Sequence, residues 1–304
     1  MIQYNQKESR VVNFNNKKVS CFYSSSAKID KKTVQSFGDE WEKFSSFSET
    51  EIKNIGDEYF DIVDESILNS NSTVLDMGCG SGRWSKYLAP NVKFIEAIDP
   101  SDAIFSATKL LSNVNNIRIT QASSDNIPFN DETFDFVFSL GVLHHIPETQ
   151  TALIDTVKKV KKGGHVLIYL YYNLDNRGVL YKALFKLSSL IRYIVAALPK
   201  WAKHIVCDFI AITVYMPLIL VSRIVQKMIP NKSTYQKLPL AYYVGKSFNV
   251  IRNDALDRFG TPLEQRFSKK KIKQMMEKAG LRDINFSNNS PYWHAIGKRT
   301  DLVK

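Results

Sequence analysis

The stretch that most limits what this chain can fold into is Val74–Gly82, VLDMGCGSG. Thr73, Val74 and Leu75 read as the end of a buried parallel strand, and Gly78, Gly80 and Gly82 then permit a sharp turn and a close approach of backbone to ligand. Strand, glycine turn and helix in that order make a nucleotide-type site. The dinucleotide fingerprint G-x-G-x-x-G is not met, because Arg83 stands at its third glycine. Asp76, two residues ahead of the first glycine, would repel a pyrophosphate and suits a cationic ligand instead.

Downstream of the turn, helix and strand alternate. Arg83–Ala89 is a short helix stopped by Pro90, and KFIEAIDPS (Lys93–Ser101) is a second strand ending in Asp99. An acid at that tip is placed to accept both hydroxyls of a ribose, and its plainer role would be to cap the helix beginning at Ala103. Ile117–Gln121 is a third strand. FDFVFSLGVLHHIPE (Phe134–Glu148) is a fourth strand running into a loop, and its apolar run fits a parallel sheet covered on both faces. Gln150–Lys162 reads as a helix ended by Gly163-Gly164, and HVLIYLYY (His165–Tyr172) as a fifth strand.

In this order the motifs resemble those of the class I S-adenosylmethionine-dependent methyltransferases, of the type 11 kind. VLDMGCGSG corresponds to the first motif, SSDNIPF (Ser123–Phe129) to the second and LGVLHHIPE to the loop after the fourth strand. The resemblance implies an α/β, Rossmann-like seven-stranded methyltransferase sheet with its last strand antiparallel. It also implies S-adenosyl-L-methionine as cofactor, bound by Asp76, Gly78, Gly80, Gly82, Asp99 and Leu140. Aligned on Ile127-Pro128-Phe129, the family's usual adenine-binding aspartate falls on Ser123, so Ser123 and Asp125 become the candidates there. One of His144 and His145 is expected to face the substrate as a general base, since adjacent side chains on irregular backbone rarely point the same way; the alternative is that both are structural. FGDEWEKF (Phe37–Phe44) either folds over the cofactor or packs as a helix on the domain.

The chain then divides into an N-terminal extension (1–48), a cofactor-binding core (49–172), a largely helical insertion after the fifth strand (173–266) and a C-terminal helix with two strands that complete the core (267–304). Residues 1 to about 35 lack periodicity and are expected to be loosely ordered. Ser48 with Glu51 has the form of a capping box, and Ser268 caps a later helix ended by Gly280.

Charge is concentrated in the insertion. Of the formal net charge of +11, the segment Asn173–Arg252 carries +10, with twelve basic residues opposed by Asp175 and Asp208. Its centre, Ile205–Val221, is almost wholly apolar and is broken by Pro217. Three readings stand: a packed helical lid, an element lying on anionic lipid, or a membrane span. The basic residues accompany aliphatic runs and no RNA- or DNA-binding motif is visible, which argues against nucleic acid as a partner. A small-molecule, saccharide or lipid-linked acceptor and O-methylation are therefore expected. The rival is a non-catalytic cofactor-binding protein serving as a partner subunit or membrane-attached regulator. Three distant cysteines in no metal-type spacing point to no disulfide and no metal. The N-terminus has no continuous apolar core, so the expected location is cytoplasmic, or peripheral at the inner face of the membrane.

Overall fold

The computed structural model of the chain describes residues 2–23, 30–43, 47–229, 231 and 238–300. Two compact units result, one made of residues up to Asn173 and from Leu263 onward, the other of Leu174–Pro262.

The first unit is built on a sheet. Its strands are β1 (Arg10–Phe14), β2 (Lys17–Cys21), β3 (Thr73–Met77), β4 (Phe94–Asp99), β5 (Ile117–Gln121), β6 (Phe134–Leu140), β7 (Val160–Tyr169), β8 (Leu281–Phe286) and β9 (His294–Arg299). They lie in the order β1-β2-β5-β4-β3-β6-β7-β9-β8. From β2 to β7 neighbours run parallel, whereas β9 is antiparallel to both β7 and β8. The chain runs from β3 outward through β4 to β5, then returns to β6 on the other side of β3. That reversal opens a crevice at the carboxyl ends of the central strands. Val74, Leu75, Ile98, Phe136, Val137 and Ile168 are fully buried, which is why these strands lack the polar alternation of a half-exposed sheet.

Nine strands replace the expected seven, because the N-terminal lead-in is not loose. Residues 10–21 form a hairpin whose turn residues Asn15 and Asn16 have φ of 47° and 59°, left-handed values that asparagine tolerates and a tight hairpin requires. β2 then adds to the edge of the sheet, pairing Val19 with Ile119. Tyr4 holds the chain ahead of the hairpin, with its hydroxyl 2.8 Å from Thr120 Oγ1 and its ring under the Arg118 guanidinium. A second difference lies at Gly163-Gly164, read as a helix end. Both sit inside β7, where the pairing with β6 shifts register between Phe134 and Phe136. There the pair serves a bulge, and the helix has already stopped at Lys158.

Helices cover this sheet: α1 (Lys31–Lys43), α2 (Glu49–Tyr59), α3 (Arg83–Leu88), α4 (Ala103–Leu110) and α5 (Thr149–Lys158). Ser48 accepts from Glu51 N at 3.1 Å and Glu51 Oε2 accepts from Ser48 N at 3.0 Å, the reciprocal cap that starts α2.

The second unit is helical. α6 spans Val179–Ala196; α7 (Lys200–Ile210), a π-turn (Ala211–Tyr215) and α8 (Met216–Met228) run on as one helix of 29 residues. Pro217 therefore does not break it. The wide π-turn just before the proline accommodates the missing N–H and ring, as such turns do inside helices. By length and composition alone this helix could cross a membrane. α9 (Phe248–Gly260) packs on both α6 and α7. The last helix of the chain, α10 (Lys269–Lys278), returns to the first unit with Ile272, Met275 and Met276 in its core.

Candidate active site

The parallel register puts the sequence-predicted residues on one edge of the sheet. Gly78 follows β3, Asp99 ends β4, Ser123 follows β5 and Leu140 ends β6. The glycine loop is anchored by Gly78 N and Cys79 N, which both donate to Ile98 O at 2.8 and 2.9 Å. Two of its glycines are dictated by space as well as conformation. Gly78 has φ of 83° and a Cβ there would lie 2.5 Å from Val142; Gly80 has φ of 51° and a Cβ would lie 2.9 Å from the Trp41 indole nitrogen. Gly82, also at positive φ, starts α3. Ser81 Oγ, in the middle of the loop, is buried and bonds nothing among the described residues.

Asp99 is shared between the loop and the next turn. Its Oδ2 accepts from Gly80 N at 2.9 Å and its Oδ1 from Ser101 N and Oγ at 2.8 and 2.6 Å. The start of α4 is served by Ser101, whose Oγ accepts from Ala103 N at 3.2 Å, so Asp99 does not cap that helix. Asp76 is buried beneath the loop and accepts from Ser85 Oγ at 2.7 Å. Burial, opposed by the Ser85 bond and reinforced by the charge of Asp99, pushes its carboxyl up to about 8. Burial raises Asp99 too. Ser123 Oγ donates to Asp125, so those two candidates form one hydrogen-bonded pair.

A cavity of about 800 Å³ opens beside this edge. Ser101, Ala122 and Ser123 line one side, and Phe14, Tyr23 and Gln35 from the hairpin and α1 line the other. The N-terminal strands, which sequence reading passed over, thus contribute directly to the site. α1 reaches across the loop, with Trp41 against Gly80 and the Arg83 guanidinium 4.8 Å from the Trp41 ring and 4.4 Å from that of Trp84. Of the FGDEWEKF segment, Phe44 lies outside the described residues.

The two histidines differ in kind. Both occupy the short turn Leu143–His145 after β6 and both are buried. His144 is stacked 3.8 Å from Tyr171, and its ring nitrogens bond nothing among the described residues. Burial first, then the charges of His145 and Arg266, hold its pKa well below the ordinary histidine range, so it is a neutral packing ring. His145 Nδ1 lies 2.6 Å from Leu263 O. A carbonyl only accepts, so Nδ1 carries the proton and Nε2 is left as the basic nitrogen.

Sequence reading missed a second histidine site. His294, at the start of β9, directs Nε2 to Asp61 Oδ1 and Nδ1 to Pro291 O, both at 2.7 Å. The ring is fully buried and each of its nitrogens faces an oxygen, so the contact pins β9 to Asp61. Burial raises Asp61, but bonds from Asn289, His294 and Ser287 outweigh it and hold its pKa low. The partners are more than 200 residues apart in sequence, and no local pattern announces them. Within the second unit, Arg252 pairs with Asp208 and Asp254 accepts from the Tyr215 hydroxyl.

The donor set fits an S-adenosylmethionine-type ligand. Carboxylates suit a ribose and a cation, the glycine loop offers close backbone approach, and Ser81 Oγ lacks a partner among the described residues. Residues 75–168 match the methyltransferase domain family. A tRNA U34 carboxymethyltransferase of Shewanella sp. strain ANA-3 is 36% identical over 149 residues, 46% of this chain and 44% of the relative. One from Nautilia profundicola is 32% identical over 112 residues, 36% of this chain and 37% of the relative. The tRNA (carboxymethyluridine(34)-5-O)-methyltransferase of Saccharomyces cerevisiae is 32% identical over 102 residues, 32% of this chain and 34% of the relative. The chain thus spans less than half the length of these relatives.

These findings overturn two expectations. The relatives are named for tRNA, against a small-molecule, saccharide or lipid-linked acceptor and against the exclusion of nucleic acid. The non-catalytic alternative is likewise not favoured. The error arose from reading acceptor chemistry off the insertion's composition, whereas the similarity covers at most about half of the chain. Motif order, sheet topology and the matched domain together place residues 75–168 of this chain among the class I S-adenosylmethionine-dependent methyltransferases.

Proposed function

We propose that the protein transfers a methyl group from S-adenosylmethionine to a nucleotide of tRNA. The single observation that carries the acceptor is the set of tRNA-modifying relatives at 32–36% identity. The exposed lysines of α10, Lys270, Lys271 and Lys273, support it as phosphate contacts on the catalytic unit.

When bound, S-adenosylmethionine would supply an electrophilic methyl on sulfur, with the neutral thioether as the group left behind. Asp99 would accept the ribose hydroxyls, Gly78, Gly80 and Gly82 would give the backbone room to approach, Ser123 with Asp125 would hold the adenine and Leu140 would pack beside the cofactor. Asp76, which a cationic ligand would favour as the carboxylate, would then add to the field of Asp99. His145, oriented by its Nδ1–H bond to Leu263 O, accepts the acceptor's proton at Nε2. Trp41, whose indole lies against Gly80, would help shield the loop from water.

The test is to incubate the protein with methyl-labelled S-adenosylmethionine and unmodified tRNA. Acid-insoluble label that ribonuclease releases, and that maps to one nucleoside on digestion, is the expected result. Binding of S-adenosylhomocysteine with no label in any tRNA overturns the acceptor while leaving the cofactor assignment standing.

A further inference from the structure

Of the 23 large apolar side chains that lie exposed among the described residues, 20 fall between Val179 and Phe248. They are arranged, not scattered. Trp201, Ile205, Phe209, Ile212, Met216 and Leu220 succeed one another at intervals of three or four along the long helix, so they form a single stripe. Trp201 is 70% and Phe209 64% exposed, so most of each ring faces solvent. On the opposite side of the same helix, Cys207, Ala211, Tyr215 and Ile219 are buried. The helix is therefore apolar on two faces, of which the unit itself covers one. A second stripe, Leu184, Leu187, Ile191 and Ile194, runs along α6.

We propose that this uncovered face docks on the surface of an anionic phospholipid bilayer, with the long helix lying in the headgroup–acyl boundary. Charge complementarity selects the occupant. Lys182, Lys186, Lys200, Arg223 and Lys227 are exposed on the same helices. Asp208, one of the two acids in the segment, is taken up in a bidentate pair with Arg252 at 2.9 and 2.6 Å. Apolar stripes edged by lysine and arginine are the form of an interfacial helix. RNA is the poorer fit, because aliphatic stripes neither stack on bases nor bond their edges.

The covered face decides between lying and spanning. Against it α9 brings Arg252 to Asp208 and Asp254 to the Tyr215 hydroxyl, while Lys203 Nζ reaches Gly260 O at 3.0 Å. A helix crossing the bilayer would carry that polar partner into hydrocarbon, where its remaining polar groups find no water. Lying flat wets the polar side and buries the stripe. This placement stands whether or not tRNA is the acceptor.

The experiment is flotation of the full chain with vesicles of phosphatidylcholine alone and of phosphatidylcholine mixed with phosphatidylglycerol. The wild type should float with the mixed vesicles. The combined variant Ile205→Ser, Phe209→Ser, Ile212→Ser should lose at least about tenfold in partitioning, since three exposed apolar side chains no longer enter the acyl boundary. A second variant, Lys182→Gln, Lys186→Gln, Arg223→Gln, Lys227→Gln, should lose the preference for the anionic lipid. Unchanged helical content by far-UV circular dichroism shows that the second unit folds in both variants, and unchanged S-adenosylhomocysteine binding shows the same for the first unit. Wild type remaining in solution with both vesicle types, or partitioning equally with and without the stripe, overturns the proposal. A dimer that the apolar variant dissociates would assign the face to a second copy, and tRNA binding abolished by that variant would assign it to RNA. Resistance of the vesicle-bound protein to alkaline carbonate would overturn the flat placement in favour of spanning.

Discussion

β6 and the long helix of the second unit are written in much the same letters, yet they meet opposite fates. FDFVFSL is buried along almost its whole length, while the run from Trp201 to Met228 leaves every third or fourth side chain in the open. In the sheet, each apolar side chain has neighbouring strands and a covering helix within the same unit. In the helix, the chain provides cover for one side only. Hydrophobicity therefore says how much surface must be buried, and topology says whether the protein itself can bury it.

The largest effect separates the two histidines of the catalytic unit. In His145→Asn the side-chain amide can still donate to Leu263 O, but no basic nitrogen remains, so turnover should fall by about 10²–10⁴-fold with S-adenosylhomocysteine affinity kept. His144→Phe preserves the stack on Tyr171 and should leave turnover within a few-fold. If the two variants behave alike, the distinction between a base and a packing ring fails.

The comparison of sheet and helix is sharpened by truncating one phenylalanine in each. Phe136→Ala removes a fully buried ring and should cost about 3–5 kcal/mol in urea unfolding. Phe209→Ala removes an exposed one and should stay within about 0.5 kcal/mol. An equal loss at the two sites would mean that the helical stripe is covered in solution.

The cofactor edge comes next. Asp99→Ala should weaken S-adenosylhomocysteine binding by about 10–100-fold, through the lost carboxylate and through the freed Gly80 N–H and Ser101 hydroxyl, and should leave the maximal rate at saturation less affected. Isothermal titration checks the first part and initial rates the second.

How much of this was legible follows from where the constraints are local. The glycine turn, the strand-tip Asp99 and the serine caps at Ser48 and Ser268 each depend on a few adjacent residues, and sequence alone placed them. The hairpin was missed, because residues 1 to about 35 lack periodicity and read as loosely ordered, although Asn15-Asn16 between two short β-prone runs is a turn signal. His294 and Asp61 were not legible, because they meet through tertiary packing across the whole length of the unit. Nor was the sense of the insertion: its period showed helices, and only the folded unit shows which apolar face α9 covers. The acceptor was hidden for a different reason, as the motifs of the cofactor half describe the donor.

The smallest effect, a pH dependence, tests whether Asp76 works on the cofactor or only fills space under the loop. Its carboxyl, at about 8, lies above the ordinary value, so at neutral pH the ligand-free protein holds a proton there. The folded-state value is raised above the unfolded one, so this group's contribution to stability is full in acid and is lost as pH rises through about 8. A cationic ligand nearby favours the carboxylate and must expel that proton. S-adenosylmethionine affinity should therefore increase with pH up to about 8 and then level off, with proton release visible as a dependence of the binding heat on buffer ionisation enthalpy. S-adenosylhomocysteine lacks the sulfonium and should show a shallower slope. In Asp76→Asn the slope should vanish, leaving affinity near that of the wild type at pH well below 8 and weaker above it. Equal slopes for both ligands would place Asp76 outside the reach of the sulfonium and reduce it to a buried partner of Ser85.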